Sequence, residues 1–230
     1  MTRSPADPAS APDRTAPMLA EPERDCPLCA RLVAYRQANR AANPTWFNGP
    51  VPSFGALESP LLIVGLAPGV RGANRTGRPF TGDFAGVLLY GTLLRFGLAK
   101  GTYGAEAGDG MTLIGCRVTN GVRCVPPANL PRPAEIAACN RFLAAEMAAM
   151  PNLRAVLALG GVAHKAVLQA RRVRTGLAPF GHGQIHRLPD ALLLADSYHV
   201  SRLNTNTGRL TALMFETVIA AIIDRLAEAR

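Results

Sequence analysis

At 230 residues, 48% of them apolar and 18% charged, the chain is long enough for one sizeable packed domain and unlike a disordered or fibrous sequence. No apolar run reaches the roughly 18 residues that a membrane-spanning helix needs, and residues 1–25 lack the apolar segment of a signal peptide, so neither a membrane protein nor an exported one is expected. The formal net charge of +9 comes almost wholly from arginine, since Lys100 and Lys165 are the only lysines, and it favours a polyanionic partner, nucleic acid first. An arginine-rich soluble surface fits the same charge, so charge alone decides nothing.

Residues 1–25, rich in Pro, Ala, Asp and Arg, read as a flexible tail, and residues 26–230 as a single domain without internal repeats. A helix is predicted over 26–42, after Asp25. Asn43-Pro44, Asn48-Gly49-Pro50 and Pro52 then mark a loop. A buried strand is predicted over 60–66, a basic, Gly-rich loop over 67–82 and an apolar helix over 84–98. A second Gly-rich loop, 101–110, leads to a strand over 111–118 and a loop over 119–132. Pro133 opens a helix over 133–150. A third strand, 154–159, turns at Gly160-Gly161 into a helix over 162–172. Residues 185–188 read as a short extra strand. A fourth core strand, 191–196, runs into the loop 197–208 and a final helix, 209–230. This alternation implies an α/β fold: three αβα layers around a central, mostly parallel, four-stranded sheet. The polar loops all follow strand C-termini, the edge where open parallel sheets bind ligands.

Three of those loops carry residues suited to chemistry. The first holds Gly65-Leu66-Ala67-Pro68-Gly69 and then Gly72 to Asp83. Gly65, Ala67 and Gly69 let backbone approach a ligand closely. Arg75 and Arg78 could meet phosphates, and Phe80, an aromatic in a polar loop, is a platform for a base. Asp83, at the start of a helix, reads first as an N-cap. In the second loop, Asn120 offers a donor and an acceptor side by side, which matches a pyrimidine edge carrying a carbonyl next to a ring N–H; taken alone it reads more simply as a turn residue. In the third, His199 could stabilise negative charge on a departing base and Leu203 could wedge into the space that base vacates, with Ser201 between them.

The five cysteines stand at 26, 29, 116, 124 and 139. Without export, disulfides are not expected, and a metal site is the sharper reading. Cys26 and Cys29 form a close pair, but Cys124 and Cys139 stand too far apart for the second pair of a zinc ribbon. Four thiolates from scattered loops suit a [4Fe–4S] cluster. Cys116, inside a strand, reads as a buried apolar residue.

Taken in order, Gly-Leu-Ala-Pro-Gly, Gly-Arg-Pro-Phe-Thr-Gly-Asp, Asn-Gly-Val-Arg-Cys-Val-Pro-Pro and His-Val-Ser with Asn-Thr and Thr-Gly-Arg-Leu resemble the uracil-DNA glycosylase superfamily, most closely its family 5, the type-b group, over roughly 26–221. The resemblance implies a monofunctional glycosylase that flips and excises uracil from double-stranded DNA and leaves an abasic site. It implies that Phe80 stacks on the flipped base, Asn120 reads its edge, His199 stabilises it as it leaves and Leu203 holds the DNA open. Relatives carry an acid or amide just after the first strand to position water. Leu66 and Ala67 stand there instead, as in family 5, which makes Asp83 the candidate. Val200 replaces the Pro that often follows the motif His. The resemblance also implies a [4Fe–4S] cluster held by Cys26, Cys29, Cys124 and Cys139, clipping the first helix to the Asn120 loop.

Charge that develops as the C1′–N bond breaks would be met by His199 and by the backbone N–H groups of Ala67 and Gly69 on the base side, and by phosphates and Asp83 on the sugar side. The loops hold no lysine for Schiff-base chemistry. Without the polar group that Leu66 and Ala67 displace, the pocket is expected to accept other deaminated bases such as hypoxanthine. The expected setting is the cytoplasm, on nucleoid DNA, as a monomer. The alternative is an iron–sulfur DNA-binding or redox-sensing module without catalysis. A superfamily member that binds uracil-DNA covalently carries a basic insertion that Gly72-Ala73-Asn74-Arg75 does not match.

Overall fold

The computed structural model describes residues 21–228. In chain order its elements are α1 (Ala30–Ala42), β1 (Leu61–Gly65), α2 (Ala73–Thr76), α3 (Phe84–Arg95), β2 (Ala99–Lys100), β3 (Thr112–Leu113), β4 (Cys116–Asn120), α4 (Pro133–Ala149), β5 (Ala155–Leu159), α5 (Gly161–Ala170), β6 (Ile185–Arg187), β7 (Leu193–Ser197), α6 (Arg202–Asn206) and α7 (Ala212–Glu228). The main sheet runs β4–β1–β5–β7–β6. Its first four strands are parallel, as the alternation predicts, and the short β6 adds an antiparallel edge.

The sheet is covered on both faces because its strands are apolar on both. Leu61 and Ile63 of β1 pack with α3 and α7 through Leu89, Leu93, Phe215 and Ile219. Leu62 and Val64 point the other way, toward Leu143 and Met147 of α4 and Val167 and Leu168 of α5. Continuous apolar runs are what parallel strands between two helical layers require. Burying each such side chain contributes on the order of 1.5–3 kcal/mol.

Several boundaries differ from the sequence reading, and four of them have a clear local reason. The first helix begins at Ala30, leaving Cys26 and Cys29 in the turn before it. The strand expected over 111–118 is split by Gly115, whose φ of +64° ends one pairing, and β4 then runs on through Asn120. The loop 197–208 contains the single turn α6, capped by the Ser201 hydroxyl, which accepts from the Asn204 N–H. The last helix starts after Thr211, whose hydroxyl accepts from the Met214 N–H.

The expected 1–25 tail is too long. Residues 1–20 lie outside the described structure, but residues 21–25 belong to the domain. The Glu21 carboxylate accepts from the Ser53 N–H at 2.8 Å and lies 3.2 Å from Arg117 and 3.6 Å from Arg123. Glu146 of α4 faces the same two arginines, 2.7 Å from Arg117 Nε and 2.5 Å from Arg123 Nη2. Glu146 is fully buried and Arg123 is 1% exposed, so this network sits where neither arginine can be rescued by water. Removing one partner of a buried pair costs about 3–5 kcal/mol, whereas an exposed pair contributes about 1 kcal/mol or less. Glu146→Ala should therefore lower the unfolding free energy by about 3–5 kcal/mol in urea titration. Arg95→Ala, which breaks the exposed contact to Glu216, should cost less than about 1 kcal/mol. Equal effects would show that burial does not set the worth of the network.

Candidate active site

The C-terminal ends of β1, β4, β5 and β7 form one rim. On β1 and β4, Gly65 is paired in register with Asn120. The pairing continues past both strands through Gly121 N–H to Gly65 O at 2.9 Å and Val122 N–H to Leu66 O at 3.0 Å. A methyl placed on Gly65 would fall 2.4 Å from Phe80 Cζ and 2.5 Å from Asn120 Oδ1. The absent side chain is thus what lets the Phe80 ring and the Asn120 amide share the space above β1. Both are buried, at 7% and 3% exposure.

His199 follows β7 and closes the other side. Its ring centroid lies 6.2 Å from that of Phe80, with the planes tilted by 32°. Its Cβ sits 3.4 Å from where a methyl on Gly160 would be, so the β5 exit forms its floor. The Asn204 side chain donates to the His199 carbonyl at 2.8 Å, tying the residue to α6. The half-exposed residue keeps its imidazole largely enclosed, and that burial pushes its pKa down to about 4. At neutral pH the ring is therefore uncharged, one nitrogen a donor and the other an acceptor.

Asp83 divides its two oxygens between two tasks. Oδ1 caps α3 by accepting from the Ala85 N–H at 3.1 Å. Oδ2 lies over the first loop, 2.6 Å from where a methyl on Gly72 would stand and 3.3 Å from one on Gly69. The residue is exposed at the rim, yet desolvation by the surrounding turn pushes its carboxyl above the usual range, against the pull of the Ala85 and Gly86 N–H groups.

The structure brings Gly65, Gly69, Phe80, Asp83, Asn120 and His199 to this rim. Ala67 adjoins it, but packs on the buried cluster of Leu32, Val122, Cys139 and Phe142. Ser201 serves as the cap of α6. Leu203, on the first turn of that helix, is 73% exposed, an apolar side chain offered to whatever docks there. Arg75 is half-exposed and pairs with Glu106 at 2.6 Å. Arg78 departs from the expected phosphate contact: it is 4% exposed, bonds Asp109 through both terminal nitrogens at 2.7 and 2.6 Å, and lies over the rings of Phe54 and Tyr90. A guanidinium so committed cannot reach DNA. Arg71, Arg202 and Arg209 are exposed near the rim instead.

Two sets of residues escaped the sequence reading. Tyr198 stacks with His182, at 4.9 Å and 12°, and the Arg209 guanidinium lies 4.6 Å from its centroid. Tyr103 donates from its hydroxyl to the Phe80 carbonyl at 3.0 Å. A lone tyrosine in the Gly-rich stretch 101–110 was the available signal for the second.

The cysteines gather as well. Cys26, Cys29, Cys124 and Cys139 line one small cavity of about 20 Å³ beside α1 and α4. Among the described residues no three metal-binding side chains converge tightly enough for a single ion. Cys116 is buried apart from them, its thiol donating to the Leu98 carbonyl. Arg36, 3% exposed, donates to Cys124 Sγ at 3.5 Å and to the Cys26 carbonyl at 3.1 Å, and the Arg123 N–H donates to Cys139 Sγ at 3.3 Å. A second, wider concavity of about 800 Å³ opens at the opposite end of the sheet, beside Met150, Arg154, Arg187 and Leu193, and has no part in the rim.

Residues 52–223 match the profile of the uracil DNA glycosylase superfamily. Relatives include the type-5 uracil-DNA glycosylase of Thermus thermophilus, 46% identical over 200 residues that cover 84% of this chain and 90% of the relative. That of Mycobacterium tuberculosis is 41% identical over 201 residues, 84% of this chain and 75% of the relative. That of Pyrobaculum aerophilum is 39% identical over 191 residues, 81% and 83%.

The enclosure of His199 has a measurable sign. An unfolded imidazole titrates near about 6.5. With the folded value near 4, the unfolded chain binds the extra proton first as pH falls. This residue's contribution to stability is therefore fully present above about pH 6.5 and lost progressively toward pH 4. A proton NMR titration should place the His199 midpoint near 4, with a flat response above about pH 6; a midpoint at the solution value would show an open ring.

Proposed function

Because the chain belongs to the uracil-DNA glycosylase superfamily, we infer that it is a DNA-repair hydrolase that takes uracil out of DNA and leaves an abasic site. The observation that carries this reading is the convergence of Phe80 and Asn120 over Gly65 with His199 beside them. A stacking ring, an amide able to read an edge and a neutral imidazole are the groups that a flipped pyrimidine needs. A module that only bound DNA would need none of them together.

The extruded nucleotide enters at the rim while Leu203 fills the gap it leaves in the stack, which offsets part of the few kcal/mol that unstacking costs. Phe80 stacks on the base and Asn120 hydrogen-bonds its edge. As the C1′–N bond breaks, negative charge grows on the base. The neutral His199 ring donates a hydrogen bond to it, and the backbone N–H groups of Ala67 and Gly69 add to that field. A neutral donor suits this task, since it loses no stability by staying uncharged inside the protein. Asp83, at the mouth of the same turn, directs water to the sugar carbon and balances its positive charge. The exposed Arg71, Arg75, Arg202 and Arg209 meet phosphates. The enzyme works on double-stranded DNA as a monomer in the cytoplasm; among the described residues no helix is long and apolar enough to cross a membrane.

The rim also supports a wider range of bases. Small residues at 65, 67 and 69 leave no polar side chain to reject a misfitting base, so hypoxanthine is a second substrate. Uracil and hypoxanthine DNA, tested under single-turnover conditions with alkaline cleavage of the abasic product, check the reading. Asp83→Asn keeps the helix cap and should slow excision at least about 100-fold while DNA binding survives. Asn120→Ala should harm uracil release more than hypoxanthine release. No release of uracil by the unaltered protein would overturn the function, and unchanged turnover in Asp83→Asn would reduce that residue to a cap.

Cys26, Cys29, Cys124 and Cys139 would hold a [4Fe–4S] cluster. Its support is the shared cavity, the N–H donors aimed at two sulfurs and the buried Arg36, whose cation suits an anionic cluster–thiolate group. Burial pushes the Cys124 thiol up to about 12 and the Cys139 thiol to about 11, so both are neutral unless a positive centre binds them. When bound, the cluster ties α1 to the loop that follows Asn120. The purified protein should be brown and contain iron and sulfide, and Cys124→Ala or Cys139→Ala should lose colour and solubility together. A stable, colourless protein with one zinc ion would sink this assignment.

A further inference from the structure

Phe80 holds a backbone conformation that its residue type avoids. Its φ is +55°, in the left-handed region, and the surrounding structure must over-determine that choice. Three consecutive carbonyls in this turn are each held by a side-chain hydroxyl. Thr81 donates to the Arg78 carbonyl at 2.7 Å, Tyr90 to the Pro79 carbonyl at 2.6 Å and Tyr103 to the Phe80 carbonyl at 3.0 Å. A methyl on Gly86 would fall 1.8 Å from that last oxygen and 2.1 Å from the Tyr103 hydroxyl, so the helix start is hollowed to admit the contact.

Tyr103 comes from the stretch 101–110, which none of the family motifs includes. That stretch is itself anchored to the turn. Asp109 takes the Arg78 guanidinium and also accepts from the Gly104 and Met111 N–H groups at 2.8 and 3.0 Å, closing the loop on its own carboxylate. The Tyr103 ring lies 5.1 Å from that of Tyr90. Burial and the nearby Asp83 carboxylate push the phenol up to about 12, so its oxygen keeps the proton that it donates.

We propose that Tyr103 is a positioning residue for base excision: its hydroxyl, carried on the 101–110 loop and braced by Arg78–Asp109, fixes the backbone of Phe80 and thereby the pitch of the ring on which the flipped base stacks. The hydroxyl touches no substrate and acts through Phe80 alone. This rests on the reading of Phe80 as the stacking platform. Tyr103→Phe removes one oxygen and keeps the ring. The single-turnover rate on uracil-containing duplex should fall about tenfold, because small displacements of a reacting group are costly. The DNA concentration at half-saturation should stay within about twofold, since phosphate contacts are untouched. In a Phe80→Ala background the same substitution should change the rate by less than about twofold, the signature of action through one partner. An unaltered rate in Tyr103→Phe, or an equal loss in both backgrounds, would overturn the proposal. So would loss of the cooperative melting transition in Tyr103→Phe, which would assign the hydroxyl to the fold. Release of uracil by the unaltered protein in the same assay separates these outcomes from a failure of the function itself.

Discussion

A ring and an amide occupy the space above β1 because residue 65 contributes no side chain there. That single allowance depends on register. Gly65 stands opposite Asn120 only because β1 and β4 are paired in parallel from Leu61 and Cys116 onward, and the pairing is carried two residues beyond the strands by bonds from Gly121 and Val122. A shift by one residue would turn Asn120 to the other face of the sheet and drive an apolar side chain into the Phe80 ring. The rest of the rim is arranged around this fixed point. Asp83 arrives on the cap of α3, and His199 on the exit of β7 over Gly160. The layers of apolar side chains on both faces of the sheet therefore do more than hold the molecule together: they set the alignment on which recognition depends.

The site and its supports use charge in opposite ways. At the rim the His199 imidazole is kept uncharged by enclosure, and Asp83 sits at the mouth with one oxygen spent on a helix cap. Behind the rim, charges are buried in pairs. Arg78 is matched by Asp109, and Arg117 and Arg123 by Glu146 and Glu21. Such pairs add little net stability compared with apolar packing, but they are intolerant of any other arrangement. Their value here is placement: one holds the Phe80 turn and the other joins α4 to β4 and to the segment around Ser53.

The order of strands and helices, the parallel sheet and the gathering of three loops at one edge were all legible in the sequence, because apolar period and Gly/Pro punctuation are local signals. The six residues that converge on the rim were legible from motif chemistry. The assignment of Arg78 was not. An arginine in a polar loop looks like a phosphate contact until its carboxylate partner is known, and Asp109 lies 31 residues away in a stretch with no pattern of its own. Tyr103 was hidden for the same reason. The extent of the tail was misjudged because residues 21–25 carry no apolar anchor; what holds Glu21 is a pair of distant arginines, and long-range charge pairing leaves no periodic trace.

The contact of Glu21 with Arg117 and Arg123 gives this domain a margin defined by charge neutrality and not by apolar area. A shortened chain that begins at the first cysteine would retain the hydrophobic clusters described above, yet would leave two enclosed guanidinium groups to a single carboxylate. Engineering of the amino terminus, whether for a tag, a linker or a fused partner, therefore has its natural junction ahead of residue 21, and a boundary drawn at the first cysteine would place that junction too late.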